Sequence, residues 1–492
     1  MTFMEQTVTS REFAGELKSR LEALDEIDAE TLADLFRPAA SYHPFHQALL
    51  HTLHSYLLKQ TLAHARRNTQ FYGQSPAYAR WNPVPDGDPP DLSCWPVINR
   101  QHLIDHLHDF IAADVRLRSI AHTTGTTGAT INVYKSHEEV GFLTRYYLRI
   151  FQPQVEALAS LPLSLSFPNF HHGAQIPLPG VGIPFFSGLT DDGLLRETVR
   201  MLETTYNIPG HDARISLLSG PEHELQFFTS YLLEQGRDPR AFGIAAINMT
   251  GSHLTAHRRK FLRDAWGAVV NDHFTLTELI GGAVRCHRCD HFHLDPIVVG
   301  EVLDVDTGRP VEQGVGALVL TSLHPFVQMQ PLIRYETGDL VRRAESDCVG
   351  TMTFAFLGKR GNAVGRRRDG RTDWLIFPAP LYDFLSPVPD INLHGWNANV
   401  HTASDRSIGS LPLISIRAAD EGDRLRIDLV IELRYAPHYF AERTRELTSM
   451  IVSYLMDAPG TQLAEHLGGG DVVLNVDFVG PGVLKERNFI KV

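Results

Sequence analysis

The sequence predicts an α/β protein: a large N-terminal part around mostly parallel sheets, followed by a small C-terminal α/β part. Three observations predict it. With 492 residues the chain is too long for one hydrophobic core, because such cores stop growing at roughly 250–300 residues. Between about residues 115 and 345, short apolar runs alternate with helical stretches, the pattern of βαβ units. Residues 358–370 (GKRGNAVGRRRDG) are basic and glycine-rich and read as a hinge or linker, which sets off residues 371–492 as a separate unit.

The elements follow in order. Residues 1–80 read as a helical extension, with Phe13, Leu17, Leu21, Leu24 and then Leu49, Leu53, Leu57 at helical spacing. Residues 81–97 (WNPVPDGDPPDLSCWPV) carry too much Pro and Asp for anything but an extended loop, and helix resumes near Arg100. Leu161–Phe167, Ile215–Leu218, Ile244–Met249 and Ala268–Asn271 read as buried strands. Leu194–Tyr206, Glu222–Gln235 and His257–Ala265 read as the helices between them. Val299–Val305 and Gly316–Leu323 are later strands flanking a turn at Asp306 to Pro310. In the C-terminal part, Leu425–Leu433 and Val472–Val479 read as strands and Tyr439–Met456 as a helix. The expected division is 1–357, hinge 358–370 and 371–492.

Composition narrows the function. At 43% hydrophobic and 21% charged the chain is an ordinary globular protein. A net charge of -12 argues against a general nucleic-acid binder, which needs a basic face. No run of about 18 apolar residues predicts a membrane span, and the first residues lack the order of a signal peptide. Four cysteines are no disulfide framework. A reduced, cytoplasmic protein is expected. Seven of the 45 basic residues are lysine, so each lysine deserves inspection, because arginine does not replace a compact, mobile ammonium.

The segment His122-Thr123-Thr124-Gly125-Thr126-Thr127-Gly128 lies between two strand-like runs, Ser119-Ile120-Ala121 and Ile131-Asn132-Val133-Tyr134. It offers free backbone N–H groups and four hydroxyls, the properties of a phosphate cradle. It lacks the Gly-Lys-Ser/Thr of a Walker loop, and a strand follows it instead of a helix. The segment resembles the phosphate loop of the adenylate-forming ligases (acyl-CoA synthetases, adenylation domains, luciferases). Further matches follow in order. Asp272-His273-Phe274-Thr275-Leu276-Thr277-Glu278 resembles the family's Asp-x-Tyr-Gly-x-Thr-Glu, and Arg334-Tyr335-Glu336-Thr337-Gly338-Asp339 its Arg-Tyr-x-Thr-Gly-Asp. Thr250-Gly251-Ser252 stands where the family has a Gly-Gly-Glu-like turn. Val97-Ile98-Asn99-Arg100, Leu318 to Leu323 and Pro331 to Tyr335 are similar to the phenylacetate–CoA ligase branch. The resemblance covers about residues 90–360 and is weak outside them.

The resemblance implies a large adenylate-forming domain and a small mobile C-terminal lid. It implies that Thr123 to Gly128 hold the β- and γ-phosphates of ATP and that Gly251 and Ser252 border the nucleotide. Thr277 would meet the α-phosphate, and Glu278 would anchor Mg2+, for which a carboxylate is the expected hard ligand. Asp272, His273 and Phe274 would lie near adenine, Asp339 would take both ribose hydroxyls, and the hinge residues Lys359 and Arg360 would stand beside the nucleotide. Lys485 in GVLKERNFIKV holds a place like the family's loop lysine, with Lys491 as the alternative. The chain departs from the pattern at the hinge, Gly358-Lys359-Arg360-Gly361-Asn362, which has no acidic pivot, and at Ser252 and Thr275.

Cys286-His287-Arg288-Cys289-Asp290-His291-Phe292-His293 is dense in soft ligands, and Cys348 adds a third thiol. Three thiolates and one imidazole close a tetrahedral structural Zn2+ site; His293 is the chosen fourth ligand, with His291 as the alternative. The phenylacetate branch is similar in carrying cysteines at both places. Phe167 to Ala174 follows a buried strand, and there His171 and His172 with two phenylalanines suit an aromatic acid, His172 orienting its carboxylate. The expected activity is ATP-dependent activation of an aryl or arylacetic acid and transfer to coenzyme A. Alternatives are a carrier-protein pantetheine or an amine as acceptor, and a catalytically silent nucleotide-binding relative. Expected partners are a small carboxylic acid and, for the alternative, a carrier protein; neither nucleic acid nor membrane is expected, and a homodimer is left open.

Overall fold

The structure is a computed structural model that describes residues 10–24, 27–39, 44–123, 131–157, 161–167, 183–189, 191–251, 253–346, 348, 350–394, 411–484 and 488–491. Among the described residues four α-helices come first: α1 (Ser10–Glu22), α2 (Ala29–Ala39), α3 (Pro44–Asn68) and α4 (Gln70–Gln74). After the Pro/Asp-rich loop, Asn99 caps α5 (Arg100–Asp105) by accepting the Gln101 and His102 N–H groups. The strands β1 (Leu117–Thr123) and β2 (Ile131–Ser136) form a separate antiparallel pair ahead of α6 (His137–Ala157).

Among the described residues the largest sheet has eleven strands. Its strands are β3 (Leu161–Ser166), β4 (Ile183–Phe186), β5 (His211–Pro221), β6 (Ala246–Thr250), β7 (Val269–Leu276), β8 (Leu279–Arg285), β9 (Phe292–Leu294), β10 (Val298–Leu303), β11 (Gly314–Ser322), β12 (Tyr335–Ala344) and β13 (Thr353–Lys359). Their order is β10-β11-β12-β13-β9-β8-β7-β6-β5-β3-β4. The helices α7 (Asp192–Glu203), α8 (Glu222–Glu234) and α9 (Ala256–Trp266) separate β4, β5, β6 and β7. The stretch from β4 to β7 is parallel, as the alternation predicts. From β7 to β10 every pairing is antiparallel. The sheet is therefore mixed, a correction to the mostly parallel expectation. The reason is connection length: a parallel crossover needs a dozen or more residues, whereas only Thr277 and Glu278 join β7 to β8.

The cores follow this division. Apolar side chains of α7, α8 and α9 (Leu195, Leu202, Phe228, Leu262, Trp266) pack on the parallel strands through Leu165, Leu218, Ile247 and Val270. The N-terminal helices bury Leu21, Leu32, Phe36, Leu53 and Leu57 in one cluster with Leu279, Phe292, Leu318 and Ile333 of the antiparallel half. No helix among the described residues is long and apolar enough to cross a membrane.

Residues 358–370 are regular where the sequence reads as a linker. They complete β13, make a single 3-10 turn at Arg360–Asn362, and enter the hairpin of β14 (Val364–Arg368) and β15 (Arg371–Ile376). Backbone pairing, Ala363 and Trp374 hold this hairpin against Leu340 and Leu357. Glycine enrichment there answers local geometry: a Cβ at Gly358 would strike the Pro378 ring. Beyond it come α10 (Pro378–Leu385), the two-residue strands β16 (Leu393–His394) and β17 (Leu411–Pro412), then β18 (Ile414–Asp420), β19 (Leu425–Glu432), α11 (Ala441–Met456), α12 (Leu463–Gly469), β20 (Val472–Val479) and β21 (Asn488–Lys491). The sheet β20-β19-β18-β21 has its own core, including Leu381, Ile416, Leu429, Leu447 and Ile451.

Candidate active site

The tight turn between β7 and β8 carries Thr277 and Glu278. A Cβ at Gly282 on β8 would run into the carbonyl oxygen of Phe274, so glycine lets the two strands approach closely behind the turn. Glu278 is buried, and its Oε1 receives Arg100 Nη1 at 3.4 Å and the Tyr335 hydroxyl at 3.3 Å. Burial pushes the Tyr335 phenol well above its ordinary pKa, which keeps it a donor.

Arg100 reaches Glu278 because the segment before it runs beside β12. Ile98 N–H donates to Arg334 O at 3.0 Å, and Glu336 N–H donates to Ile98 O at 2.8 Å. Arg334 fixes the same junction. It holds a left-handed φ of 53° and grips both Glu301 oxygens at 2.9 Å and Trp95 O at 2.6 Å. A buried bidentate pair of this kind is structural, so the arginine of the Arg-Tyr-x-Thr-Gly-Asp run serves the scaffold.

Farther along β12, Asp339 pairs in register with Lys359 of β13. Asp339 is 1% exposed. Lys359 Nζ lies 2.8 Å from Oδ1 and offsets its charge, which leaves carboxylate lone pairs open among the described residues. Burial raises the Asp339 pKa, and Lys359 opposes that. A buried carboxylate with open lone pairs suits a ligand that brings hydroxyl donors. Arg360 pairs with Glu336 at 2.8 Å. At the edge of β1, Thr123 is buried, and among the described residues its hydroxyl has no partner.

On β7, Asp272 is held by Arg285 Nε at 2.8 Å. His273 is half-buried, and burial lowers its pKa, favouring the neutral ring. Phe274 packs among Phe292, Phe354 and Phe356. Gly251 ends β6 at a φ of 104°, and the turn after it meets α10, where Asp383 accepts Ala256 N–H at 2.9 Å and contacts His253 at 3.1 Å.

The second cluster arises from sheet order. β9 lies between β8 and β13, so the Cys286–Cys289 loop after β8, His293 on β9 and Cys348 ahead of β13 converge. One ligand atom from each lies within 4.8 Å of the others. Cys289 Sγ is 3.0 Å from His293 Nε2, a thiol–imidazole contact within this group. Arg288 donates its backbone N–H to Cys286 Sγ at 3.3 Å and its Nε to Cys348 Sγ at 3.1 Å. Hydrogen bonds from Ser346 and then Arg288 draw the Cys348 thiol below its ordinary pKa. Burial keeps His293 neutral, the form that ligates. His291 is outside the group. Arg285 joins the two clusters: besides Asp272 it binds Asp290 O at 3.0 Å and lies 4.3 Å above the Phe292 ring.

The expected site residues thus divide. Thr277, Glu278, Asp339, Lys359 and Arg360 border one region with Arg100 and Tyr335. Cys286, Cys289, His293 and Cys348 form the other. Thr124, Gly125, Thr126, Thr127, Gly128, His172, Ser252 and Lys485 lie outside the described residues. Lys491 is on β21, parallel to Ala418 of β18. Sequence reasoning missed the roles of Arg100 and Tyr335; the signal available was the Asn99 cap placing Arg100 at a helix start.

No protein family and no curated protein matches the sequence. Solved structures do match. A 2-hydroxyisobutyryl-CoA ligase in the postadenylation state with 2-HIB-AMP is 15% identical, covers 93% of this chain and 90% of its own, and has a TM-score of 0.61. An open conformation of that ligase, in complex with 2-HIB-AMP and CoA, gives 15%, 91%, 90% and 0.60. The chain therefore has the fold of adenylate-forming ligases.

Proposed function

We propose that this chain activates a carboxylic acid with ATP through an acyl-adenylate and transfers the acyl group to coenzyme A. The buried Asp339 carboxylate, paired with Lys359 and with lone pairs open among the described residues, carries the reading, because it matches the two hydroxyls of a ribose. The similarity of fold to a CoA ligase supports it. An aryl or arylacetic acid is the proposed substrate class, on the resemblance of the motifs.

In the first step an oxygen of the substrate carboxylate bonds to the α-phosphorus and the bond to the β-phosphate breaks, releasing pyrophosphate. In the second a thiolate bonds to the acyl carbon and the bond to AMP breaks. Asp339 holds the ribose. Thr277 and the Thr123–Gly128 segment donate hydrogen bonds to phosphate oxygens, where preorganised donors are most effective. Glu278, oriented by Arg100 and Tyr335, is the ligand for Mg2+, which neutralises phosphate charge when bound. Lys485 neutralises the reacting carboxylate and phosphate, and residues 371–492 act as the lid that brings it there. Cys286, Cys289, His293 and Cys348 hold a structural Zn2+.

Acid-dependent exchange of labelled pyrophosphate into ATP tests the reading without needing the acceptor. No exchange across a broad panel of aromatic and aliphatic acids would sink it. Once exchange is found, Lys485→Ala lowers its rate by about 100-fold, the usual scale for one transition-state charge contact; an unchanged rate removes Lys485 from this role. Coenzyme A supplied against a pantetheine-bearing carrier then identifies the acceptor.

A further inference from the structure

The last stretch before Lys485 is anchored by one carboxylate. Glu432 ends β19 and is 1% exposed. Its Oε1 accepts the Gly482 N–H at 2.9 Å, and its Oε2 accepts the Leu484 N–H at 2.6 Å. Asn392 Nδ2 also donates to Oε1, at 2.6 Å. An ionised carboxylate buried this deeply is costly unless its lone pairs are filled, and two of the three donors come from the loop itself. Gly482 turns with a φ of 82°, which only glycine adopts without strain, so its N–H can face inward. Val483, between the two anchored amides, is 59% exposed. The carboxylate thus grips alternate residues of a turn on the surface, and the next residue in the chain is Lys485.

The core beneath, which includes Ile427 and Leu455, is apolar. Charge-assisted hydrogen bonds from a carboxylate to backbone N–H groups are short and directional, which suits fixing a loop more than filling a core.

We propose that Glu432 is a positioning residue for acid activation: by holding the Gly482 and Leu484 amides it sets where Lys485 is presented. The inference rests on the adenylation reading and on Lys485 as its lysine.

Glu432→Gln keeps the volume but replaces one acceptor oxygen with a donor, so at least one loop amide loses its partner. In the purified full-length chain, kcat for acid-dependent pyrophosphate exchange should fall about tenfold, with the KM for ATP within twofold of wild type. The rate of thioester formation from preformed acyl-adenylate and coenzyme A should stay within twofold. This split separates positioning from a general loss of structure, which would depress both half-reactions together. Should Glu432→Gln fail to fold, Glu432→Asp, one methylene too short to reach both amides, is measured with the same expectation. Exchange within twofold of wild type, or an equal fall in both half-reactions, overturns the proposal. If Lys485→Ala leaves exchange intact, the lysine assignment fails first; if it abolishes exchange while Glu432→Gln does nothing, only the positioning role fails.

Discussion

Asp339→Ala lowers the affinity for ATP by about 100-fold while changing the stability of the nucleotide-free protein little. The affinity loss follows from two hydroxyl–carboxylate hydrogen bonds at about 1.5 kcal/mol each, equivalent to roughly a hundredfold. The stability effect is small by comparison, because alanine removes a carboxylate that is costly to bury and loses its pairing with the Lys359 ammonium 2.8 Å away. Lys359 loses its partner at little cost, since its side chain is 42% exposed. Calorimetric titration with ATP and thermal melting of the nucleotide-free protein check the two halves. An affinity within threefold of wild type, or a large drop in melting temperature with affinity retained, would show Asp339 to be a scaffold residue.

The second large effect concerns the cysteines. The freshly purified chain should carry about one zinc, and Cys289→Ser and Cys348→Ser should each bring the ratio near zero. Binding at a thousandfold above Kd contributes about 4 kcal/mol, so the melting temperature should fall by on the order of 5–10 °C. Arg285 spans from the cysteine loop to Asp272, so ATP affinity should weaken as well. Metal analysis, melting curves and thiol titration check this. Absence of metal together with four freely reactive thiols in the wild-type chain would refute the site.

The sequence made some of this legible for identifiable reasons. The parallel strands around Leu165, Ile247 and Val270 were readable because strands buried on both faces are continuously apolar and their helices lie between them in the chain. In the antiparallel half β10 and β11 were readable as strands flanking a turn, but the pairing of β9 with β13 was not, since it joins His293 to Thr353 across sixty residues and leaves no local periodicity. The Cys286, Cys289, His293 and Cys348 group could be named from residue types, while its convergence depends on that same pairing. Glu278 and Asp339 stood out through motif order. Arg100 and Tyr335 lay in the same matched runs, but their roles did not show, because what brings them to Glu278 is the strand-like alignment of Ile98 with β12. Glycine and basic residues at 358–370 suggested a linker, but the same composition serves a hairpin whose glycine admits Pro378.

The junction at Arg334 also bears on how the chain is made. Trp95 waits for Arg334, 239 residues later, His54 for Pro296 and His64 for Gln328. Ribosomes add about 5–20 residues per second, so the N-terminal helices spend tens of seconds without the sheet that covers Leu53 and Leu57. During synthesis these helices emerge before the sheet and are completed only with it, and their apolar faces are the surface that a nascent-chain chaperone would meet.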